Sequence, residues 1–558
     1  MPSLHAFEED RQSVISDFRA GRFDYLEVAS RVTEASFFRY LLQEGDLKGL
    51  AATYPTPRKK EEVPLWLYLA SQVSMRLHGQ QAYSSFPYIV HCGGLRDALG
   101  PSQLTVEEGR QERRVLCQGY NQKNYYKRRT PCDQDFLRKL GKDTDGDALL
   151  AWFNHYVARY LRDFGAFDEE GVFLLDGSYL FVPDNPAYQG SSKLRFDEHH
   201  HPVSGKDYDA MPKAEQERTG LRRCYRGVFL LHLDRRARTY AYGGLSLLPG
   251  KAAEVPEFGP MIDRFVSAAG QGVMKMVIFD RGFIDGKTIT HLKRDLSVDS
   301  LFPLKKKMLD LDDAWVLAEE DQEPWVEWTP PEPLPLKHPP QRPEVIRRRE
   351  EKRQQTLAEK KAEREQQEPP KPHLVKVELK AIREMRLWEK LQVPLTVVVM
   401  REHYSDGAVQ KWALATTRED LGPLEVRNWY HQRTQIEERH RQVKLFWDLE
   451  KFRSRSLSLI RTQVVFVLLA YSLFQAFLKK RERGELNERT RRRIVNELHY
   501  EDDKNVLYSR GKVAYLTPLE HQELLLTLTE GPRRKILKKT RELRQRRLLP
   551  ELPERPIS

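Results

Sequence analysis

Cysteine is scarce in this chain. Among 558 residues there are four, Cys92, Cys117, Cys132 and Cys224, and no two of them form a CxxC pair. That spacing argues against a zinc ligand set or a disulfide frame, and reduced thiols fit a cytosolic protein. The opening residues Met1-Pro2-Ser3-Leu4-His5 lack a basic stretch leading into an apolar run, so no signal peptide is expected. The most apolar window, residues 464–474, is shorter than a bilayer span and reads as a buried helix. Together these absences predict a cytoplasmic protein with no membrane partner.

Positive charge is present in excess. Lys and Arg number 93 against 81 Asp and Glu, a formal +12 with a pI near 9.2, which biases the surface toward nucleic acid. A chain of this length exceeds one hydrophobic core, and about two to four domains are expected.

Two short apolar runs each end abruptly in an aspartate. One reads Gly171-Val172-Phe173-Leu174-Leu175-Asp176-Gly177-Ser178, the other Met274-Lys275-Met276-Val277-Ile278-Phe279-Asp280-Arg281-Gly282-Phe283. Val, Ile and Phe followed by an acid and a glycine predict a buried strand delivering a carboxylate at its end. An Asp capping the following turn is the plainer alternative for each. Downstream, Tyr430, Arg433, Glu437 and Lys444 lie in a stretch that reads as one amphipathic helix. At about 100° per residue from Tyr430 the other three fall at about 300°, 340° and 320°, one narrow polar face. A carboxylate flanked by cations and a phenol suits a metal-bound phosphate backbone, whereas a salt-bridged solvent face is the competing account. Three carboxylates are enough to hold a pair of Mg²⁺ ions with waters and substrate oxygens.

Asp176-Gly177-Ser178, Asp280-Arg281-Gly282-Phe283 and the Tyr430/Arg433/Glu437/Lys444 spacing resemble the DDE transposases of bacterial insertion sequences, in the superfamily with a Y-R-E-K signature. The resemblance covers roughly residues 165–475. It implies an α/β, ribonuclease H-like catalytic core with a mixed sheet. It also implies Asp176, Asp280 and Glu437 as the metal-binding catalytic triad, with Mg²⁺ as cofactor and Mn²⁺ as a substitute. Tyr430, Arg433 and Lys444 would bind transposon-end phosphates. The implied partners are double-stranded DNA, as terminal inverted repeats and target, and a second copy of the chain in a synaptic homodimer. The implied location is the cytoplasm, at the nucleoid. Two other functions share these residues: a nuclease without strand transfer, and a domesticated, catalytically idle DNA-binding protein.

Five regions are expected. Residues 1–160 read as a helical, end-binding region, and in it Tyr120, Lys123, Tyr125, Tyr126 and Lys127 mix aromatics with cations. Residues 165–305 form the first part of the core, with a hairpin around the turn Asp234-Arg235-Arg236 and a helix over 261–269. His199, His200 and His201 are adjacent and point in different directions, so a mobile loop near DNA is favoured over a metal site. Residues 306–420 are an insertion: a Pro-rich stretch, a charged helix over 344–368 with almost no apolar face, and strands over 393–400 and 412–416. Residues 421–478 complete the core with the Glu437 helix. Residues 479–558 turn basic and helical and suit dimer contacts or non-specific DNA binding. Trp325, Trp328, Trp388 and Trp412 are candidate platforms for a flipped base, although each is more simply a packing residue.

Overall fold

The computed structural model of the protein describes residues 8–29, 32–60, 63–86, 89, 94–99, 104–108, 111–115, 132–305, 308–329, 347, 351, 354–355, 372–386, 389–488 and 504–548. The aromatic and basic segment 120–129, Trp388, Cys92, Cys117 and most of the charged stretch 344–368 lie outside the described residues.

The elements used below are, in chain order, β1 (Glu8–Glu9), α1 (Arg11–Arg19), β2 (Tyr25–Ala29), α2 (Leu65–Leu77), and the hairpin of β3 (Leu104–Glu108) and β4 (Gln111–Val115). There follow β5 (Val172–Val182), β6 (Ser192–Phe196), β7 (Gly220–Asp234), β8 (Thr239–Pro249), α3 (Phe258–Ala269), β9 (Met276–Phe279), β10 (Asp299–Pro303) and α4 (Leu309–Glu320). Next are β11 (Val326–Trp328), β12 (Leu374–Met385), β13 (Leu395–Tyr404), β14 (Val409–Thr416), α5 (Pro423–His431), α6 (Thr434–Phe446) and α7 (Leu457–Lys480). The last are β15 (Lys504–Ser509), β16 (Lys512–Leu516), α8 (Pro518–Leu526) and α9 (Glu530–Leu548). The chain is mixed α/β and divides into two units. One comprises Glu170–Asp176 with Met274–Ile436, the other Met1–Glu169, Gly177–Val273 and Glu437–Ser558.

The smaller unit is built on a mixed sheet. The start of β5 pairs in parallel with β9, and β9 in parallel with β10, whereas β10, β14, β13, β12 and β11 follow one another antiparallel. Val172–Leu175 and Met276–Phe279 are almost fully buried, as expected for strands of a parallel pair covered on both faces. Strands β13 and β14 fall where the apolar runs 393–400 and 412–416 predict them. Strand β12 was not anticipated. It alternates charged and apolar residues, and its Lys380 is buried yet satisfied, donating to the Asp321 carbonyl at 2.6 Å and facing its carboxylate at 3.3 Å.

In the larger unit β7 and β8 form the expected hairpin, with β6 antiparallel on the other edge of β7. The Asp234 carboxylate closes the turn by accepting from the Ala237 amide at 2.8 Å. The three histidines sit in a turn organised by Asp197, whose Oδ1 accepts from the His199 and His201 amides at 2.9 and 2.8 Å. Helix α7 has 24 residues, longer than the apolar window suggests, so by length and composition it could cross a membrane. It is instead a core helix. Residues from Val464 to Phe474 are essentially inaccessible, and its polar side chains serve the strand beside it. Ser472 Oγ accepts from the Tyr242 amide at 2.9 Å, and Gln475 Oε1 from the Tyr240 amide at 3.1 Å, satisfying edge donors that would otherwise be buried bare.

The two chain-terminal regions, expected to be helical, also contribute strands. They combine in a four-stranded sheet of order β1-β16-β15-β2, in which Glu8 pairs with Lys512 and Leu507 with Leu26. Val14, Phe18, Phe23, Leu26, Leu507, Leu516, Leu524 and Ile536 form its core. A capping box starts α8: the Thr517 hydroxyl accepts from the Glu520 amide at 3.1 Å and the Glu520 carboxylate from the Thr517 amide at 2.7 Å. The Thr517 amide, then Arg11 at 2.7 Å, hold the Glu520 carboxyl down to about 2 from 4.5. A depressed acid stabilises the folded state above its unfolded pKa and loses that contribution as pH falls through the folded one. Amide protection over residues 517–526, taken relative to the intrinsic exchange rate at each pH, should therefore fall as pH drops from about 4.5 to about 2, and fall less in Glu520→Gln. An equal fall in both proteins would remove Glu520 as the cause.

Candidate active site

The register of two parallel strands brings the acids together. Val172, Phe173, Leu174 and Leu175 stand opposite Met276, Val277, Ile278 and Phe279. One further step puts Asp176 beside Asp280 at the same height on neighbouring strands, about 4.8 Å apart in the hydrogen-bonding direction. Their side chains are 15% and 38% exposed. Asp280 directly follows the last residue of β9, whereas Asp176 lies within β5, which runs on to Val182, rather than at a strand end as expected. Asp280 is also a cap, its Oδ1 accepting from the Arg281 amide at 2.7 Å, as the plainer expectation for that residue has it.

The polar stretch 430–444 is not one helix. Helix α5 ends at His431 and α6 begins at Thr434. Between them the chain tightens into three-residue hydrogen bonds, from the Arg433 amide to Tyr430 O at 2.9 Å and from the Ile436 amide to Arg433 O at 3.0 Å. The Thr434 hydroxyl donates to His431 O at 2.9 Å, which favours the break over a continuous ladder. The single-face arithmetic therefore fails beyond Arg433. What the break achieves is specific: the Arg433 guanidinium lies 3.5 Å from Asp176 Oδ1 and 3.8 Å from Asp280 Oδ2. One cation is thus shared by both acids. Two carboxylates at one height, already drawing a positive group between them, are a donor set that fits a hard divalent cation.

Tyr430 sits one helical turn before Arg433 and packs edge-on against Trp412, ring centres 5.8 Å apart. Burial pushes its phenol above the ordinary value, with Arg433 opposing and Asp280 reinforcing the shift. Trp412 and Trp328 both lie against Arg427, at 5.1 and 4.5 Å, and Arg427 pairs with Glu402 at 3.0 Å. Trp325 stacks on Trp315 beneath Arg401. All three described tryptophans of the candidate set are therefore engaged in packing.

Glu437 is exposed on the first turn of α6. Among the described residues no three His, Cys, Asp or Glu side chains stand together as an ion-binding group. Lys444, two turns further along α6, donates to Ser178 Oγ at 2.8 Å and to Tyr179 O at 2.6 Å, and faces Glu450 at 3.3 Å. It thereby ties the helix of Glu437 to the part of β5 that directly follows Asp176 and Gly177. Sequence reasoning passed over Glu254. A Cβ on Gly177 would meet its Oε2, so this carboxylate lies against the backbone of the glycine after the first Asp and would have to swing aside for any larger residue there. Its only sequence signal is the glycine itself.

Residues 242–473 match the family model of the transposase DDE domain. The chain carries a DDE transposase domain. The matched stretch contains Asp280, Tyr430, Arg433, Glu437 and Lys444, while Asp176 precedes it. Among solved structures, a cryo-EM synaptic complex of piggyBac transposase with hairpin DNA is similar at 9% identity and a TM-score of 0.29, over 76% of this chain and 68% of that one. No curated protein matches.

Proposed function

We infer that this DDE transposase is a cut-and-paste enzyme of an insertion sequence, with a ribonuclease H-like core. It would hydrolyse the phosphodiester at transposon ends and join the freed 3′-hydroxyl to target DNA. The observation that supports this reading most is the shared height of Asp176 and Asp280 with Arg433 reaching both. Asp176, Asp280 and Glu437 are the proposed holders of Mg²⁺, for which Mn²⁺ can substitute. The bound ions would supply Lewis-acid stabilisation of charge developing on phosphate oxygens. The protein's own groups do the rest. Arg433 holds two acids close in the DNA-free chain. It is positioned to transfer to a phosphate oxygen when cations take its place, because charge-assisted bonds to either partner are of similar strength. Tyr430, kept neutral by burial, donates from its phenol to a neighbouring phosphate. Lys444 exchanges its bond to Ser178 for a phosphate at the same end.

One acid triad per protomer has two antiparallel strands to cut. The freed 3′-hydroxyl attacking the opposite strand within the same site, as a hairpin, meets that need, at an unstacking cost of about a few kcal/mol. Duplex with native ends, incubated with Mg²⁺ under single-turnover conditions, should give a transient labelled species about twice the single-strand length, followed by joined target product. Double-strand breaks without that species reject the hairpin step. Breaks without joined product favour a nuclease on the same acids.

A further inference from the structure

The terminal sheet carries an uneven distribution of charge. Its N-terminal part, residues 8–29, has six acids against three cations. Helix α9 has nine cations against two acids in nineteen residues, a net +7 of the chain's +12. So polar a helix has little to bury, and it docks by one narrow face. Ile536 is 1% and Thr540 8% exposed, and Ile536 joins the core made by α1, β2, β15, β16 and α8. Lys539 fixes the rotation of the helix, donating to Gly21 O at 3.2 Å with its ammonium 4.7 Å from the Phe23 ring.

That rotation decides which cations face out. At about 100° per residue from Arg534, Lys538 and Arg541 lie within about 40° of it, while Ile536 and Thr540 fall near 200° and 240°. Arg534, Lys538 and Arg541 are all exposed, in a stripe about 10 Å long. Arg534 has one exposed acid, Glu530, at 2.8 Å, a pair of little worth in water. Among the described residues no acid is paired with Lys538 or Arg541. A row of exposed cations on a folded module, with one weak surface pair among them, is a surface for a polyanion.

We propose that the exposed stripe Arg534–Lys538–Arg541 of α9 binds the phosphate backbone of duplex DNA without reading sequence, as a contact separate from the acids that cut. That the polyanion is DNA rests on the transposase reading above. Contacts of this kind release counterions and contribute about 0.9 each to the slope of log affinity against log salt.

The test uses the full chain, Ca²⁺ in place of Mg²⁺, and a random-sequence duplex lacking transposon ends, with binding followed from low to high salt. The triple variant Arg534→Gln/Lys538→Gln/Arg541→Gln should lower the salt slope by about two to three, with an unchanged melting temperature. Arg534→Lys/Arg541→Lys, which keeps the charge, should retain the slope. A triple variant with the wild-type slope overturns the proposal. So does one whose only change is in oligomeric state by light scattering, which would make the stripe a contact between copies. Asp280→Ala separates the two readings: it should keep the slope while nicking is lost. A wild-type chain that binds with a steep slope yet never nicks end-bearing DNA would sink the transposase reading and spare the stripe. One that does not bind duplex even at low salt overturns both.

Discussion

Asp280→Ala should bind end-bearing duplex in Ca²⁺ within a factor of about two of wild type and nick it on the order of 10³-fold more slowly in Mg²⁺. The expectation rests on two observations. Asp176, within β5, and Asp280, just past β9, stand one step beyond the paired residues of adjacent parallel strands, and one guanidinium reaches both. Removing either acid takes a ligand from the proposed cation site, and several kcal/mol of charge stabilisation at the phosphate corresponds to a loss of that size. Asp176→Ala and Glu437→Ala should behave alike. Asp280 also caps the turn at Arg281, so Asp280→Asn, which retains a cap acceptor, separates the roles. It should fold like wild type and still fail to cut. If Glu437→Ala nicks near the wild-type rate, the third member of the triad is wrong and the paired aspartates need another partner, which makes Glu254, against Gly177, the first to try.

The largest stability effect is expected one turn before Tyr430. Arg427 is 9% exposed, its guanidinium over the rings of Trp328 and Trp412, and its partner Glu402 is 8% exposed. Burial pulls the Arg427 pKa down and Glu402 opposes the shift, so the pair depends on each other's charge. Arg427→Ala strands a buried carboxylate that retains, among the described residues, the Tyr404 hydroxyl at 3.1 Å, and should cost about 3–5 kcal/mol in urea unfolding of the unit that holds it. Arg427→Ala/Glu402→Gln should recover part of that loss, because the unpaired charge is gone. A single-variant loss below about 1 kcal/mol would show that water reaches the pair. Since Tyr430 follows Arg427 by three residues and packs on the same Trp412, the single variant should also cut more slowly than its remaining folded fraction predicts.

The acids and their strands were legible because buried parallel strands write themselves as unbroken apolar runs, and each run here ends in Asp-then-Gly or Asp-Arg-Gly. Strand β12 was harder to see. Its alternation of Lys, Glu and Arg with Val, Leu and Ala follows a long charged tract, and Lys380 stands where an apolar residue would be expected. The break after His431 left no glycine or proline to announce it; Thr434, whose hydroxyl donates to His431 O, is a weaker local mark. Lys444 carried the right type of charge but is held by Ser178 and Tyr179, partners about 265 residues away that no local pattern contains. The strands of the terminal sheet are short; β15 and β16 form a local hairpin, but β1 and β2 find their partners only roughly 480 to 500 residues further along the sequence.

That last feature governs when the protein can become complete. Glu8 pairs with Lys512, and 504 residues must be added before the second of them exists. At about 5–20 residues per second on a ribosome, β1 and β2 wait roughly 25 to 100 s for β15 and β16. During that interval Val14, Phe18 and Phe23 have no partner layer. The nascent chain meanwhile already contains both aspartates and Glu437. The sheet that joins residues 8–29 to residues 504–516 therefore cannot close until the chain between them has been made, and a chain cut short before residue 504 leaves Val14, Phe18 and Phe23 without that layer.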